Sequence, residues 1–140
     1  MRTFILISIF SIAAWNLSAQ NNEPVELQPP GPFISFVEDA HDFGDIEQGD
    51  QVEYTFEFEN TGDAPIIISN VQTTCGCTAT NWPKEPIAPG AKSSITAKFN
   101  SAGKVGRQNK VITILSNAAN NPERVRIVTN ILPPKPDSNN

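Results

Sequence analysis

A chain of 140 residues accommodates one ordinary domain and not two. Its formal net charge of −5 and pI near 4.8 exclude the basic face that nucleic acid or an anionic lipid surface requires. Twelve prolines, eight glycines and a hydrophobic content of 39%, with eight phenylalanines, favour many short elements around one sandwich-sized core.

The first residues predict a leader. Arg2 supplies a positive start, residues 4–15 an apolar run, and Leu17-Ser18-Ala19 a small-residue close, so residues 1–19 read as a signal peptide. The run is about a dozen residues, short of the ~20 that a bilayer-spanning helix needs, so no transmembrane segment is expected in the mature chain. The competing reading is an uncleaved anchor. No cysteine stands at the cleavage point, which argues against a lipoprotein. The expected location is periplasmic or secreted, where disulfides persist. Residues 20–32, with Pro24, Pro29, Pro30 and Pro32, predict a linker or an arm that orders on docking, and residues 133–140 a loose tail. The folded unit is then 33–132.

Within that unit the apolar period is two. Residues 33–37 and 42–46 predict two short strands, the second ending at the turn Gln48-Gly49-Asp50. Val52, Tyr54, Phe56 and Phe58 then alternate with Glu53, Thr55, Glu57 and Glu59, giving one core face and one acidic, solvated face. Asn60-Thr61-Gly62-Asp63 is a turn by composition. Residues 64–71, with Ile66, Ile67 and Ile68, predict a strand covered on both sides or twisting between faces. Residues 81–86 are too proline-rich for ladder pairing, and Ile87-Ala88-Pro89-Gly90 is a tight turn. Ile95, Ala97 and Phe99, the run 111–115, and Val125, Ile127 and Thr129 predict three more strands. No amphipathic helix follows the leader. Seven to eight short strands with turns about every ten residues predict an all-β fold, an immunoglobulin-like antiparallel β-sandwich. Both cysteines lie in one loop region, so the inter-sheet disulfide of antibody domains is excluded.

That region is Thr74-Cys75-Gly76-Cys77-Thr78, and four readings of it compete. One is a local disulfide between Cys75 and Cys77. Alternate positions on a regular strand stand about 6.5–7 Å apart at Cα, the outer limit for bridging, so a turn at Gly76 would have to shorten the gap. The second is a soft thiolate pair for copper or zinc, with His41, the chain's one histidine, as a third ligand. The third is thiol exchange, although the Cys-x-x-Cys at a helix N-terminus that lowers a thiol pKa is absent. The fourth is two buried free thiols acting as small hydrophobes. His41 otherwise reads as a half-satisfied residue near a strand start. Trp82, beside Pro83, reads as a plug closing one end of the sandwich or as an exposed aromatic; with Thr74, Gly76 and Thr78 it would make a binding loop. Arg124 and Arg126 alternate on one face and can pair with the glutamate row, a surface contact worth under about 1 kcal/mol. No Ser-His-Asp spacing and no phosphate loop opening a helix is found, so neither an enzyme nor a required cofactor is expected.

Several motifs occur together: His41-Asp42-Phe43-Gly44-Asp45-Ile46 with Gly49, Phe56 with Phe58-Glu59-Asn60-Thr61-Gly62, Cys75-Gly76-Cys77-Thr78, Pro86-Ile87-Ala88-Pro89-Gly90, and Ser116-Asn117. In this order and spacing they resemble the DUF1573 family, which is common in Bacteroidetes and similar to the immunoglobulin-like domains of the ASPM, SPD-2 and Hydin type. The resemblance covers about residues 36–131. It implies an exported bacterial immunoglobulin-like domain and implies no activity. Family members often end in a glycine where this chain has Val128-Thr129-Asn130-Ile131-Leu132. The expected function is a non-enzymatic binding or accessory module of the cell envelope, with an envelope or secreted protein as partner. The alternative is a copper- or zinc-binding or thiol-redox protein centred on Cys75 and Cys77.

Overall fold

The computed structural model describes residues 28–135, so the expected signal peptide, most of the linker and the end of the tail lie outside the described residues. Eight strands form in chain order: β1 (Ile34–Phe36), β2 (Ala40–Glu47), β3 (Gln51–Asn60), β4 (Ile68–Thr73), β5 (Cys77–Asn81), β6 (Lys92–Asn100), β7 (Gly106–Ser116) and β8 (Glu123–Leu132). They make two four-stranded sheets in the orders β1-β3-β6-β5 and β2-β8-β7-β4. There is no helix among the described residues, hence none long and apolar enough to cross a membrane.

The core follows the period-two reading. Phe56 and Phe58 of β3 and Ile95, Ala97 and Phe99 of β6 pack against Ile112 and Ile114 of β7 and Val125, Ile127 and Ile131 of β8. On those strands the buried positions alternate with exposed or half-buried ones, as a two-layer sandwich imposes. The strand expected over 64–71 is β4, which begins only at Ile68, runs on to Thr73 and lies at a sheet edge, and the structure differs from the expectation in three further places. The pairing of β2 with β8 is parallel, so that sheet is mixed. The chain reaches it by leaving the first sheet after Val37, whose N–H still donates to the Glu57 carbonyl at 3.0 Å. The second difference is β5, a strand that begins at Cys77 in the stretch left unassigned by the sequence pattern. The third is that Arg124 and Arg126 lie on the sheet opposite to the Glu53, Glu57 and Glu59 row. Arg126 instead pairs with Asp39 at 3.8 Å, and Lys98 with Glu53 at 3.2 Å.

Three fully buried polar residues hold the loops. Asn60 continues the inward phase of β3 by one step and is the hub of one pole. Its Nδ2 donates to the carbonyls of Ala64 (2.8 Å) and Ile87 (2.9 Å), and its Oδ1 accepts from the N–H of Gly62 (3.0 Å) and Phe33 (3.4 Å). Its backbone bonds Ala91 and Gly90. Asn117 and Asn120 work at the same pole. Asn117 exchanges side-chain bonds with Ile67 N–H and Pro65 carbonyl, and Asn120 pairs with both backbone groups of Ile34. Gly62 sits beneath the incoming arm so closely that a Cβ there would overlap the Gly31 carbonyl oxygen. Residues 31 and 32, the end of the expected linker, are therefore docked together with Phe33, tied by Gly31 N–H to Asp63 Oδ1 at 2.7 Å and Thr61 N–H to the Phe33 carbonyl at 3.0 Å.

Ser101, one inward step beyond Phe99, holds the other pole. Its hydroxyl lies 3.0 Å from the Glu47 carbonyl and 2.8 Å from that of Asp50 and accepts from Gly49 N–H, joining the β2–β3 turn to the β6–β7 turn. Thr129, inward on β8, donates to the Gly44 carbonyl at 2.8 Å and fills the bulge where the β2–β8 register shifts.

Replacing Asn60 with alanine leaves the Ala64 carbonyl and the N–H groups of Gly62 and Phe33 without that partner and takes one of two donors from the Ile87 carbonyl. It should cost about 2–4 kcal/mol in urea unfolding at unchanged m-value, against near zero for an exposed asparagine such as Asn109. Deleting residues 133–140 removes only exposed positions among those described and one exposed pair, Lys135–Glu47. It should shift Tm by less than about 5 °C, near 1 kcal/mol for a domain of this size.

Candidate functional site: the cysteine crossover

Three residues, Thr74-Cys75-Gly76, carry the chain from β4 in one sheet to β5 in the other. So short a crossover needs a tight turn. Cys77 N–H donates to the Thr74 carbonyl at 3.1 Å, and Gly76 takes φ +90°, a left-handed value that favours glycine. A Cβ on Gly76 would stand 2.8 Å from Lys104 Cε and 3.2 Å from the Phe99 ring. The crossover is tied on both sides: Asn100 N–H donates to the Gly76 carbonyl (2.9 Å), Thr74 N–H to the Val111 carbonyl (3.1 Å), and Thr73 Oγ1 to the Cys77 carbonyl (2.9 Å).

The turn separates the two thiols. Cys75 is exposed at its apex. Cys77, opposite Phe99 in register, packs half-buried against the core. Both are free thiols in the structure, and no disulfide joins them. Burial pushes the Cys77 thiol up to about 11, against the opposing pull of Lys110 and Lys104. Those two ammoniums stand 5.9 and 6.0 Å from the centre of the Phe99 ring, at the limit of a cation–π contact. Lys110 occupies an inward position of β7 in phase with Ile112 and Ile114. That phase was the available signal for it, whereas Lys104, in a loop, gave none.

The other expected site residues do not converge here. His41 stands on β2, at the opposite edge of its sheet from β4. It stacks on Tyr54 with ring centres 3.6 Å apart and meets Phe43 edge-on at 4.7 Å. Its Nδ1 faces Glu38 Oε1 at 3.5 Å, and a hydrogen bond to Glu38 raises the Tyr54 pKa. The set Cys75, Cys77 and His41 is therefore not assembled, and no group of three or more His, Cys, Asp or Glu that could hold a metal is found among the described residues. Nor do Thr74, Gly76, Thr78 and Trp82 share one loop. Thr78 is an exposed position on β5, and Trp82 follows that strand. Trp82 packs partly against the core with Lys84 Nζ 3.1 Å from its ring centre.

Comparison with known proteins agrees with this architecture. The profile of the family described as "Protein of unknown function (DUF1573)" matches residues 34–131. A crystal structure of a protein of unknown function from Porphyromonas gingivalis W83 superposes with TM-score 0.61 at 18% identity, over 78% of this chain and 51% of that one. The secreted serine protease VesC from Vibrio cholerae gives 0.60 at 17%, over 74% of this chain and 24% of that one. PapD-like domain 7 of human CEP192 gives 0.56 at 10%, over 85% and 99%. The chain thus spans about a quarter to a half of the first two. No curated protein sequence matches.

At pH 8, alkylation should label Cys75 and leave Cys77 largely unmodified in the folded protein, with both labelled in denaturant, as read by peptide mass mapping. The linkage has a definite sign. A thiol pKa raised from 9.0 to about 11 stabilises the fold fully below pH 9, and that contribution fades as pH climbs to 11. A Cys77→Ala variant should show a shallower loss of stability across that window.

Proposed function

The chain belongs to the DUF1573 family, and on that premise we propose that it is an exported, non-enzymatic binding module of the bacterial cell envelope that docks an envelope or secreted protein. The observation that carries this reading is the construction of the Cys75-Gly76-Cys77 crossover. Its inner thiol lies on the core and stays protonated at neutral pH, which suits packing and not nucleophilic exchange. The two lysine ammoniums that face it would repel a metal cation. Bonds from β4, β6 and β7 fix its backbone, so a rigid, shaped loop is what the motif contributes. The export part of the reading rests on residues 1–19. Similarity to a PapD-like domain supports an architecture that serves many binding roles and decides none of them.

The test compares the protein with a Cys75→Ser/Cys77→Ser variant. Each is immobilised and exposed to detergent-solubilised envelope of the producing bacterium, and each is weighed by native mass spectrometry. The expected result is saturable retention of the same envelope proteins by both, with no copper or zinc in either. A wild type that carries stoichiometric metal and a folded variant that loses it would put metal binding in its place. Retention of nothing by either protein would end the binding reading.

A further inference from the structure

β3 is longer than its neighbour. β1 pairs only with Phe58, Glu59 and Asn60, and the chain then departs for the other sheet. From Gln51 to Phe56, β3 has β6 on one side and, among the described residues, no strand on the other. The register fixes which backbone groups face that gap. Val37 N–H bonds the Glu57 carbonyl and Thr61 N–H bonds the Phe33 carbonyl, so odd-numbered residues of β3 direct their N–H and C=O toward β1's side. By the same alternation Gln51, Glu53 and Thr55 present three donors and three acceptors there.

The other edges are blunted in ways this one is not. β2 and β4 carry register shifts at Asp42/Asp45 and Ile68/Asn70. β5 carries one at Ala79/Asn81 and runs into Pro83, and β1 is three residues long behind Pro32. Bulges, proline and shortness are how sheets avoid adding strands. β3 pairs with β6 in unbroken register from Gln51 to Glu59, with no proline and no lysine.

We propose that the Gln51–Thr55 edge of β3 takes up an extended segment of a partner protein, alternately apolar and basic, as a fifth strand of that sheet. This rests on the binding-module reading and gives its partner a chemistry. Side chains of an added strand alternate between two surroundings. Those pointing inward meet the Tyr54, His41 and Phe43 rings, which close the side of the sandwich and leave Tyr54 and His41 half-exposed. Those pointing outward meet Glu53 and Glu57. Glu38, whose carboxylate stands 3.5 Å from His41 Nδ1 and beside Tyr54, adds a third negative charge at this edge. Next to the Thr55 end of the edge, exposed Val37, Glu57 and Lys92 border a depression of about 340 Å³ that can seat a terminal side chain of the added strand. A second copy of this chain is the wrong occupant: antiparallel β3–β3 pairing about Glu53 sets that carboxylate against itself, and like charges directly opposite destabilise a pair.

Amide exchange in the full chain, with a synthetic peptide of about eight alternating valines and lysines as probe, tests this. The amides of Gln51, Glu53 and Thr55 should exchange fast in the free protein while those of Val52 and Tyr54 exchange slowly. The peptide should slow the three, and a valine–glutamate peptide should not. Glu53→Lys/Glu57→Lys, which leaves the core untouched, should weaken the peptide by about tenfold, and so should Glu53→Pro, which removes one edge donor. Slow exchange of the three amides without peptide would mean that a segment of this chain already covers the edge, and overturns the proposal. So would a concentration-dependent dimer abolished by Glu53→Pro. Envelope partners retained by the wild type and equally by both edge variants would overturn the edge and leave the binding-module reading standing; retention of none by the wild type would remove that reading itself.

Discussion

The side chain of Asn60 is the constraint on which the pole farthest from the cysteines depends. An amide has two donors and two good acceptor positions, and here all four are used, each by a different stretch of backbone: 33, 62, 64 and 87. None of those stretches belongs to a long ladder. Without a central polar group these loops would carry unpaired backbone N–H and C=O groups beside a hydrophobic core, a costly arrangement. One residue therefore orders the entry of the chain, the turn after β3 and the Pro86–Gly90 turn at once. This explains why the segments Phe58-Glu59-Asn60-Thr61-Gly62 and Pro86-Ile87-Ala88-Pro89-Gly90, far apart in sequence, travel together as marks of one family. They are two sides of one hydrogen-bonded knot.

Ser101 performs a similar task at the opposite pole with a single hydroxyl, and the cysteine crossover is attached to the frame it sets. Gly76 bonds Asn100, the neighbour of Ser101, and Cys77 lies over Phe99. The crossover is thus positioned by the end of β6, not by its own sulfur chemistry. Its separation of an exposed Cys75 from a core-facing Cys77 follows from the turn at Gly76, since a regular strand would have pointed both thiols the same way.

Most of the architecture was legible in the sequence because a sandwich with one wet and one dry face per sheet writes its period directly into the chain. β3, β6 and β8 are read off at Val52 to Phe58, Ile95 to Phe99 and Val125 to Thr129. What was not legible were features set by contacts between distant segments. The parallel β2–β8 pair depends on where the chain changes sheets, which no local pattern records. The strand character of residues 77–81 comes from pairing with β6, overriding a composition that reads as loop. The distance from His41 to the cysteines is a matter of strand order, and the ring that meets His41 is Tyr54, from the other sheet. One signal was present and went unread. Asn60 and Ser101 continue the inward phase of their strands beyond an apolar run and Thr129 interrupts one, and a polar residue in an apolar phase marks a buried hub. Lys110 obeys the same rule at the cysteine pole.

The parallel pair has a mechanical meaning. β2 and β8 both run from the asparagine-rich pole to the cysteine pole, so the chain enters the domain at one end and leaves it at the other. Tension applied between Ile34 and Leu132 draws these two strands past each other along their length. The six pairs in register, from Ala40 with Arg126 to Glu47 with Leu132, then carry the load side by side and have to give way together. Had β2 met β8 antiparallel, the same pull would have opened the pair from one end, a bond at a time. The topology therefore loads this pair in shear along the strands and not by peeling.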